Sequence, residues 1–341
     1  MMTKHARTLL LIGMTAIHAV GDLAKIEAFV IDADDGCPIP NITVTASFGN
    51  DNGWKAWTES APINRDIQTT DVHGRCLLSG KTNNGKVGCW VDGKQQNHYG
   101  TRSGTGFELE KKNLLGVWQP DNLVATIKLQ RVDHPIPLFV KAVRMEGEAD
   151  VAERFEGRLS YDVICGDWLP PVGKGVKEDI VFERIPRKIL SHAELRGRSD
   201  ITGRSFMDEI KVSFPGEENG IVDTRDSIGG MLIKTAPDSG FAPRYTLWQK
   251  LDSHLKYKNS NDKGKCLCFR IRTKKDIHGN IVSSCYGKIY GDINITLGYE
   301  YAIGGVEFLY YLNPTPNDRN LEWDMKNNLC PNPGEIGQRQ P

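Results

Sequence analysis

The patterned part of the chain opens with two alternating stretches, "KIEAFVIDA" (Lys25–Ala33) and "NITVTASF" (Asn41–Phe48), separated by a turn-rich break. In the second stretch Ile42, Val44 and Ala46 share one face, and Thr43, Thr45 and Ser47 share the other. That period of two is the signature of a strand with one buried side. In the break, Asp34-Asp35-Gly36 is turn chemistry, because Asp bonds to nearby amides and Gly tolerates positive φ. Pro38 and Pro40 lack amide donors and delay pairing. The pattern predicts strand, turn, strand: the start of a β-sandwich.

The same grammar returns in "TTDVHGRCLLSG" (Thr69–Gly80), and "CLLSGKTNNGKVGCW" (Cys76–Trp90) reads as a hairpin. With the loop at Lys81–Asn84, Cys76 faces Cys89 at a workable disulfide distance. A rival register, with Asn84-Gly85 at the turn centre, places Cys76 opposite Gly93 instead. "QRVDHPIPLFV" (Gln130–Val140) holds Pro135 and Pro137 and reads as a domain joint. Beyond it come about eight short apolar strands, among them "RLSYDVIC", "EDIVFERI", "KCLCFRIRT" and "VEFLYYLN", separated by Gly, Pro and Asn. No long period of 3.6 and no internal repeat is visible.

Val30, Asp32, Gly36, Pro38, Ile39, Pro40 and Val44, followed by Thr70, Asp71, Gly74, Arg75 and Leu77, carry a resemblance. Over residues 24–130 the chain resembles carboxypeptidase-regulatory-like, or transthyretin-like, β-sandwich domains. It departs from that pattern with Cys37 in the turn and Cys76 where an aromatic is usual. The resemblance implies fold and hardly any function; it concerns an accessory sandwich and implies no peptidase activity. The succession "YDVICGDWLPPVGKG", "YGKIYGDI" and "YYLNPTPNDRNLEWD" is similar to a family of secreted bacterial two-domain β proteins that offers no activity to carry over. The expected fold class is all-β. An N-terminal transthyretin-like or Ig-like β-sandwich (residues 22–132) precedes a larger antiparallel β-sandwich or jelly roll (136–329) and a flexible tail (330–341).

Composition changes the picture at the N-terminus. Lys4, His5 and Arg7 precede the apolar run Thr8–Val20, with small residues at Ala19 and Gly21. This predicts a secretory signal over residues 1–21, in preference to a buried helix, and the run is too short to span a bilayer. Lys+Arg and Asp+Glu both number 43, so no charge excess points to nucleic acid. No later stretch is apolar enough for a transmembrane segment. In an oxidising compartment the 8 cysteines read as disulfide formers, since no CxxC or HExxH spacing suits zinc.

The chain shows no GxSxG elbow and no HxH pair, and no cofactor or metal is expected. Asp32, Asp34 and Asp35, and separately Asn317 and Asp318, have oxygens that would suit calcium, but turn capping is the ordinary role. The candidate ligand-binding residues are Trp54 and Trp57 in "DNGWKAWTES" and Tyr99 in "KQQNHYGTRSGTG", both read as polar loops. Such rings can stack on sugars or grip an extended peptide. The expected function is a secreted, non-catalytic binding or structural protein with an extracellular glycan or cell-surface protein as partner. The alternative is a carbohydrate-active hydrolase using an unrecognised carboxylate pair, for which Glu108/Glu110 and Glu217/Glu218 are the close-spaced acids.

Overall fold

The computed structural model describes residues 23–49, 64–95, 98–113, 117–144, 157–192, 204–224, 233–251, 256–262, 265–297 and 303–333. The expected signal segment lies outside them. The described residues contain strands and turns and no helix. The chain divides into two compact units, Met1–Asp133 and His134–Pro341.

The first unit holds β1 (Leu23–Asp32), β2 (Thr43–Phe48), β3 (Asn64–Thr69), β4 (Arg75–Lys81), β5 (Lys86–Gln95), β6 (His98–Glu108), β7 (Lys111–Lys112), β8 (Trp118–Gln119) and β9 (Leu123–Arg131). Its main sheet runs β3-β2-β5-β6-β9-β1-β4 and folds into two layers. One layer is β4-β1-β9, with β1 and β9 parallel. The other is β3-β2-β5-β6. Among the described residues, the ladder passes from one layer to the other where His98 and Tyr99 of β6 pair with Arg131 and Gln130 of β9. Alternation fills the interior: Ile26, Ala28 and Val30 from β1 and Val44, Ala46 and Phe48 from β2 are fully buried. Each large apolar side chain there contributes about 1.5–3 kcal/mol by leaving water, more than a typical single hydrogen bond.

The residues of the Thr70–Arg75 motif have a common task. The Thr70 hydroxyl donates to the Ile39 carbonyl at 2.8 Å and accepts from the Ile42 amide at 2.9 Å. Asp71 accepts the amides of His73 and Arg75, and the Val30 amide donates to the Gly74 carbonyl at 2.8 Å. The motif therefore stitches the turn before β4 to the start of β2 and the end of β1. The sheet ends, β3 and β4, are tied by side chains: Asp66 accepts the Ser79 amide at 2.8 Å and Asn64 donates to the Lys81 carbonyl at 2.9 Å.

Two expectations are corrected here. Cys76–Trp90 is not a hairpin, because β4 and β5 belong to different layers. Cys76 stands beside Ala28 of β1, and Cys89 beside Ala46 of β2 and Thr105 of β6. The link between β4 and β5 is pinned as a layer crossing: the Trp118 indole donates to the Thr82 carbonyl, and the Leu109 amide to the Gly85 carbonyl, each at 2.8 Å. The segment around Tyr99 is not a loop but the start of β6. Its glycines permit the strand: a Cβ at Gly104 would stand 2.6 Å from the Cys89 carbonyl and 2.8 Å from Trp90 Cβ.

The second unit holds β10 (Ile136–Arg144), β11 (Arg158–Asp162), β12 (Asp167–Trp168), β13 (Ile180–His192), β14 (Arg204–Ser213), β15 (Gly220–Asp223), β16 (Arg244–Leu251), β17 (Tyr257–Asn259), β18 (Cys266–Lys275), β19 (Ile281–Leu297), β20 (Ile303–Asn313) and β21 (Trp323–Asn328). They form two sheets, β15-β18-β19-β20-β10-β21 and β12-β11-β13-β14-β16-β17. All ladders are antiparallel except β10–β21, which is parallel. The sheets enclose one core in which Tyr161 meets Trp168 edge to face, with ring centroids 5.0 Å apart. β20 is buried on both sides: Phe308, Tyr310 and Leu312 face that core, while Leu309 and Tyr311 join Leu138, Val140 and Trp323 behind it. Three of the four sheet edges, β12, β15 and β17, have four residues or fewer, which leaves little open ladder for another chain.

Candidate functional site

β1 ends on a carboxylate at the seam of the first unit. Asp32 is buried because Val30 and Asp32 share the inward parity of the strand, and its neighbours on β6 and β9 are the strands that join the layers. Its Oδ1 accepts the amide of Asp34 at 2.8 Å. Its Oδ2 accepts from Arg131 Nε at 2.9 Å and from His98 Nε2 at 3.1 Å. The second Arg131 nitrogen bridges to Asp35 Oδ2 at 2.9 Å. Burial alone would raise the Asp32 carboxyl, but the Asp34 amide, His98 and Arg131 outweigh it and hold the group at about 2. The bond to Asp32 assigns the ring proton of His98 to Nε2.

Cys37 closes the same turn. Its amide donates to Asp35 Oδ1 at 2.8 Å, and its thiol bonds to that carboxylate, which raises the thiol above its ordinary range. Such a thiol is not a thiolate nucleophile near neutral pH. Asp32 and Asp35 thus act as turn caps and charge partners. Asn317 and Asp318 likewise accept the amides of Ser284 and Asn320.

The second unit carries a cluster that the sequence reading missed. Asp162, the last residue of β11, accepts at Oδ1 from the amides of Ile164 and Cys165, at 3.1 and 3.0 Å, and at Oδ2 from those of Val176 and Lys177, both at 3.0 Å. Arg272, on the opposing sheet, donates Nη2 to Asp162 at 2.7 Å and to Asp179 at 2.8 Å. Asp179 also takes the Val163 amide at 3.0 Å. Burial raises Asp162, but the amides of Cys165, Val176 and Lys177 prevail and hold it at about 2. For Asp179 burial wins over Arg272, and its carboxyl lies above the ordinary range. Two acids pushed apart in this way resemble a catalytic pair. Both side chains, however, are only 1% exposed, and their oxygens already hold amides and a guanidinium. The one local signal was an Asp ending an apolar strand, followed four residues later by Gly, in "SYDVICG" as in "VIDADDG".

The expected acid pairs are placed differently. Glu217 and Glu218 share Lys275, each at 3.2 Å, and Glu218 also bonds to Arg270. Glu108 and Glu110 are both exposed. Trp54 and Trp57 lie outside the described residues. The described chain on either side of them, Gly49 and Asn64, is at the Phe48 end of β2. Tyr99 is described through its backbone, opposite Lys94 and Gln130, toward the other end of that layer, where Gln95 bonds to Thr43. Cys76 and Cys89 are free thiols in one core, each raised to about 11, Cys76 by burial and by the charge of Cys89, Cys89 by burial. The hairpin register that would have opposed them does not exist.

No protein-family profile matches the chain. No curated protein sequence matches it either. Solved structures give distant likenesses. Shaft pilin SpaA from Lactobacillus rhamnosus GG aligns over 88% of this chain and 94% of its own at 12% identity, with a TM-score of 0.22. BcpA, the major pilin subunit of Bacillus cereus, aligns over 84% and 95% at 8% identity, with a TM-score of 0.24. A DUF3823 family protein from Parabacteroides merdae aligns over 73% and 89% at 8% identity, with a TM-score of 0.20. TM-scores of this size carry no argument about fold or function, so the all-β architecture rests on the strand pairings above.

Proposed function

We propose that the chain is an exported, non-catalytic binding or architectural protein, acting at the cell surface or on extracellular polysaccharide. The observation that carries this reading is how the acids are used. The two clusters most like reaction centres, Asp32–His98–Arg131 and Asp162–Asp179–Arg272, have their carboxylate oxygens occupied by amides, arginines and a histidine, and His98 of β6 and Arg272 of β18 are the members that reach across from the other layer. A glycosidase needs two carboxylates open to a sugar. The basic and apolar leading segment supports export, and among the described residues no helix is long and apolar enough to cross a membrane. The carboxypeptidase-regulatory-like identity of residues 24–130 belongs to this proposal, supported by the joint task of Thr70, Asp71 and Gly74. So does a Cys76–Cys89 bond, as a link across layers instead of across a hairpin.

Retention of the full chain on immobilised polysaccharides tests the reading. Trp54→Ala or Trp57→Ala should abolish retention with little change in Tm if these rings bind glycan. Absence of retention in the unaltered chain, with loss of Tm in these variants, restricts the role to architecture. Release of reducing sugar by the unaltered chain, abolished in Asp179→Asn, would overturn the non-catalytic reading.

A further inference from the structure

β21 ends beside β10, and the chain continues along it: the Leu329 amide donates to the Leu138 carbonyl at 2.9 Å. Asn328 fixes the next residue. Its amide side chain donates to the Val140 carbonyl at 2.7 Å, and its Oδ1 accepts the amides of Val140 at 3.0 Å and Cys330 at 2.9 Å. Cys330 is thereby buried against the turn between β11 and β12, which belongs to the opposing sheet. A Cβ placed on Gly166 would stand 3.1 Å from the Cys330 sulfur. The residue next to Gly166 is Cys165, an exposed thiol on the same turn. The turn is held in place around this contact: Lys141 Nζ donates to the Gly166 carbonyl at 2.5 Å and Tyr310 Oη to the Val163 carbonyl at 2.7 Å.

Ladder register sets Cys268 opposite Lys288 and Cys285 opposite Ile271, so the β18–β19 hairpin does not pair them.

We propose that Cys165 and Cys330 form a disulfide that fastens the segment after β21 to the β11–β12 turn and so joins the two sheets of the second unit. The oxidant is a small disulfide such as oxidised glutathione. The Asp162 carboxylate raises the Cys165 thiol, so the reaction is run at mildly alkaline pH, where the Cys165 thiolate attacks the oxidant, forming a mixed disulfide and releasing one reduced glutathione. The Cys330 thiolate then displaces the second. One S–S bond forms in the protein and one breaks in glutathione; two electrons pass to glutathione, and its two sulfurs take up the two protons that the protein thiols lose. The linkage does not depend on export, because the test supplies the oxidant.

The test is peptide mapping of the full chain, reduced, treated natively with oxidised glutathione at mildly alkaline pH, alkylated and then digested with trypsin. The peptides Leu159–Lys174 and Asn327–Arg339 each contain one cysteine. They should appear joined, and oxidation should raise Tm by about 5–10 °C, a gain reduced in Cys165→Ser. In Cys330→Ser, Cys165 should remain as the glutathione adduct. Recovery of either peptide mainly as a free thiol, as a glutathione adduct in the unaltered chain, or joined to another cysteine overturns the proposal. So does a Tm gain that Cys165→Ser leaves unchanged.

Discussion

The turn after Asp32 in the first unit and the turn after Asp162 in the second are built alike from unlike sequences. In each, an apolar strand ends on a buried Asp. The amide of a Gly four residues on donates back to that Asp's carbonyl, at 3.0 Å from Gly36 and 2.8 Å from Gly166. Both glycines have positive φ, 72° and 65°. Each carboxylate accepts the amides two and three residues ahead, then an Arg distant in sequence, Arg131 from the neighbouring strand β9 or Arg272 from the opposing sheet. The difference lies in closure. Arg272 is 23% exposed and shared with a second buried acid, whereas Arg131 is 45% exposed and shared with exposed Asp35. Asp162 also takes two amides from a second loop. One local device therefore serves as an open seam in one unit and a sealed tie between sheets in the other.

Substitutions can break this comparison. Asp162→Ala strips four amides and a half-buried guanidinium of their acceptor, and should cost about 3–5 kcal/mol by urea unfolding, with amide exchange rising in β11 and β18. Asp32→Ala should cost about 2–3 kcal/mol, since Arg131 keeps Asp35 and meets water. Equal losses would mean that closure is irrelevant.

Acid should separate the units next. A depressed carboxyl contributes stability present above its unfolded value of 3.8 and lost as pH falls through about 2, the folded value of both Asp32 and Asp162. For Asp32 that is about 2 kcal/mol. Asp179 works oppositely: its raised carboxyl favours the fold below its unfolded value, and that gain fades as pH rises. On acidification the second unit recovers at Asp179 part of what it loses at Asp162. The recovery at Asp179 falls above 3.8 and the two losses fall below it, so amide exchange followed from pH 6 to pH 2 should show a smaller net loss of protection in β11 and β18 than in β1 and β9.

The glycines give the smallest contrast. Gly166→Ala adds a 3.1 Å contact with Cys330 to the cost of positive φ and should cost about 2 kcal/mol. At Gly36 nothing lies within 4 Å of the new Cβ, so φ alone acts, at about 1 kcal/mol. Thermal unfolding of both variants checks the order.

Much of this was legible in the residues, and what was hidden has physical causes. Alternation gave away β1 and β2, and the inward set Ile42, Val44, Ala46 is the buried set. Asp-Gly pairs marked turns, because their chemistry is local. The link from Cys76 to Cys89 misled because a short connection serves a hairpin or a layer crossing equally well; contacts from Trp118 and Leu109, far along the chain, decide between them. β6 was hidden because glycine and polar residues weaken strand propensity, while here they admit a close neighbour. The ties escaped notice because Asp32 and Arg131 are 99 residues apart and Asp162 and Arg272 are 110 apart.

The parallel pairing of β1 with β9 and of β10 with β21 has a mechanical corollary. In each unit the first and last described strands are direct neighbours running the same way. A pull on the two ends of a unit slides these strands past each other, so their hydrogen bonds resist together and do not peel one at a time. Seven register pairs, Ile26–Asp32 against Leu123–Leu129, share that strain in the first unit. In the second the β10–β21 ladder is broken between Ile136 and Leu138. Under tension the second unit should therefore yield first, extending while the first stays folded.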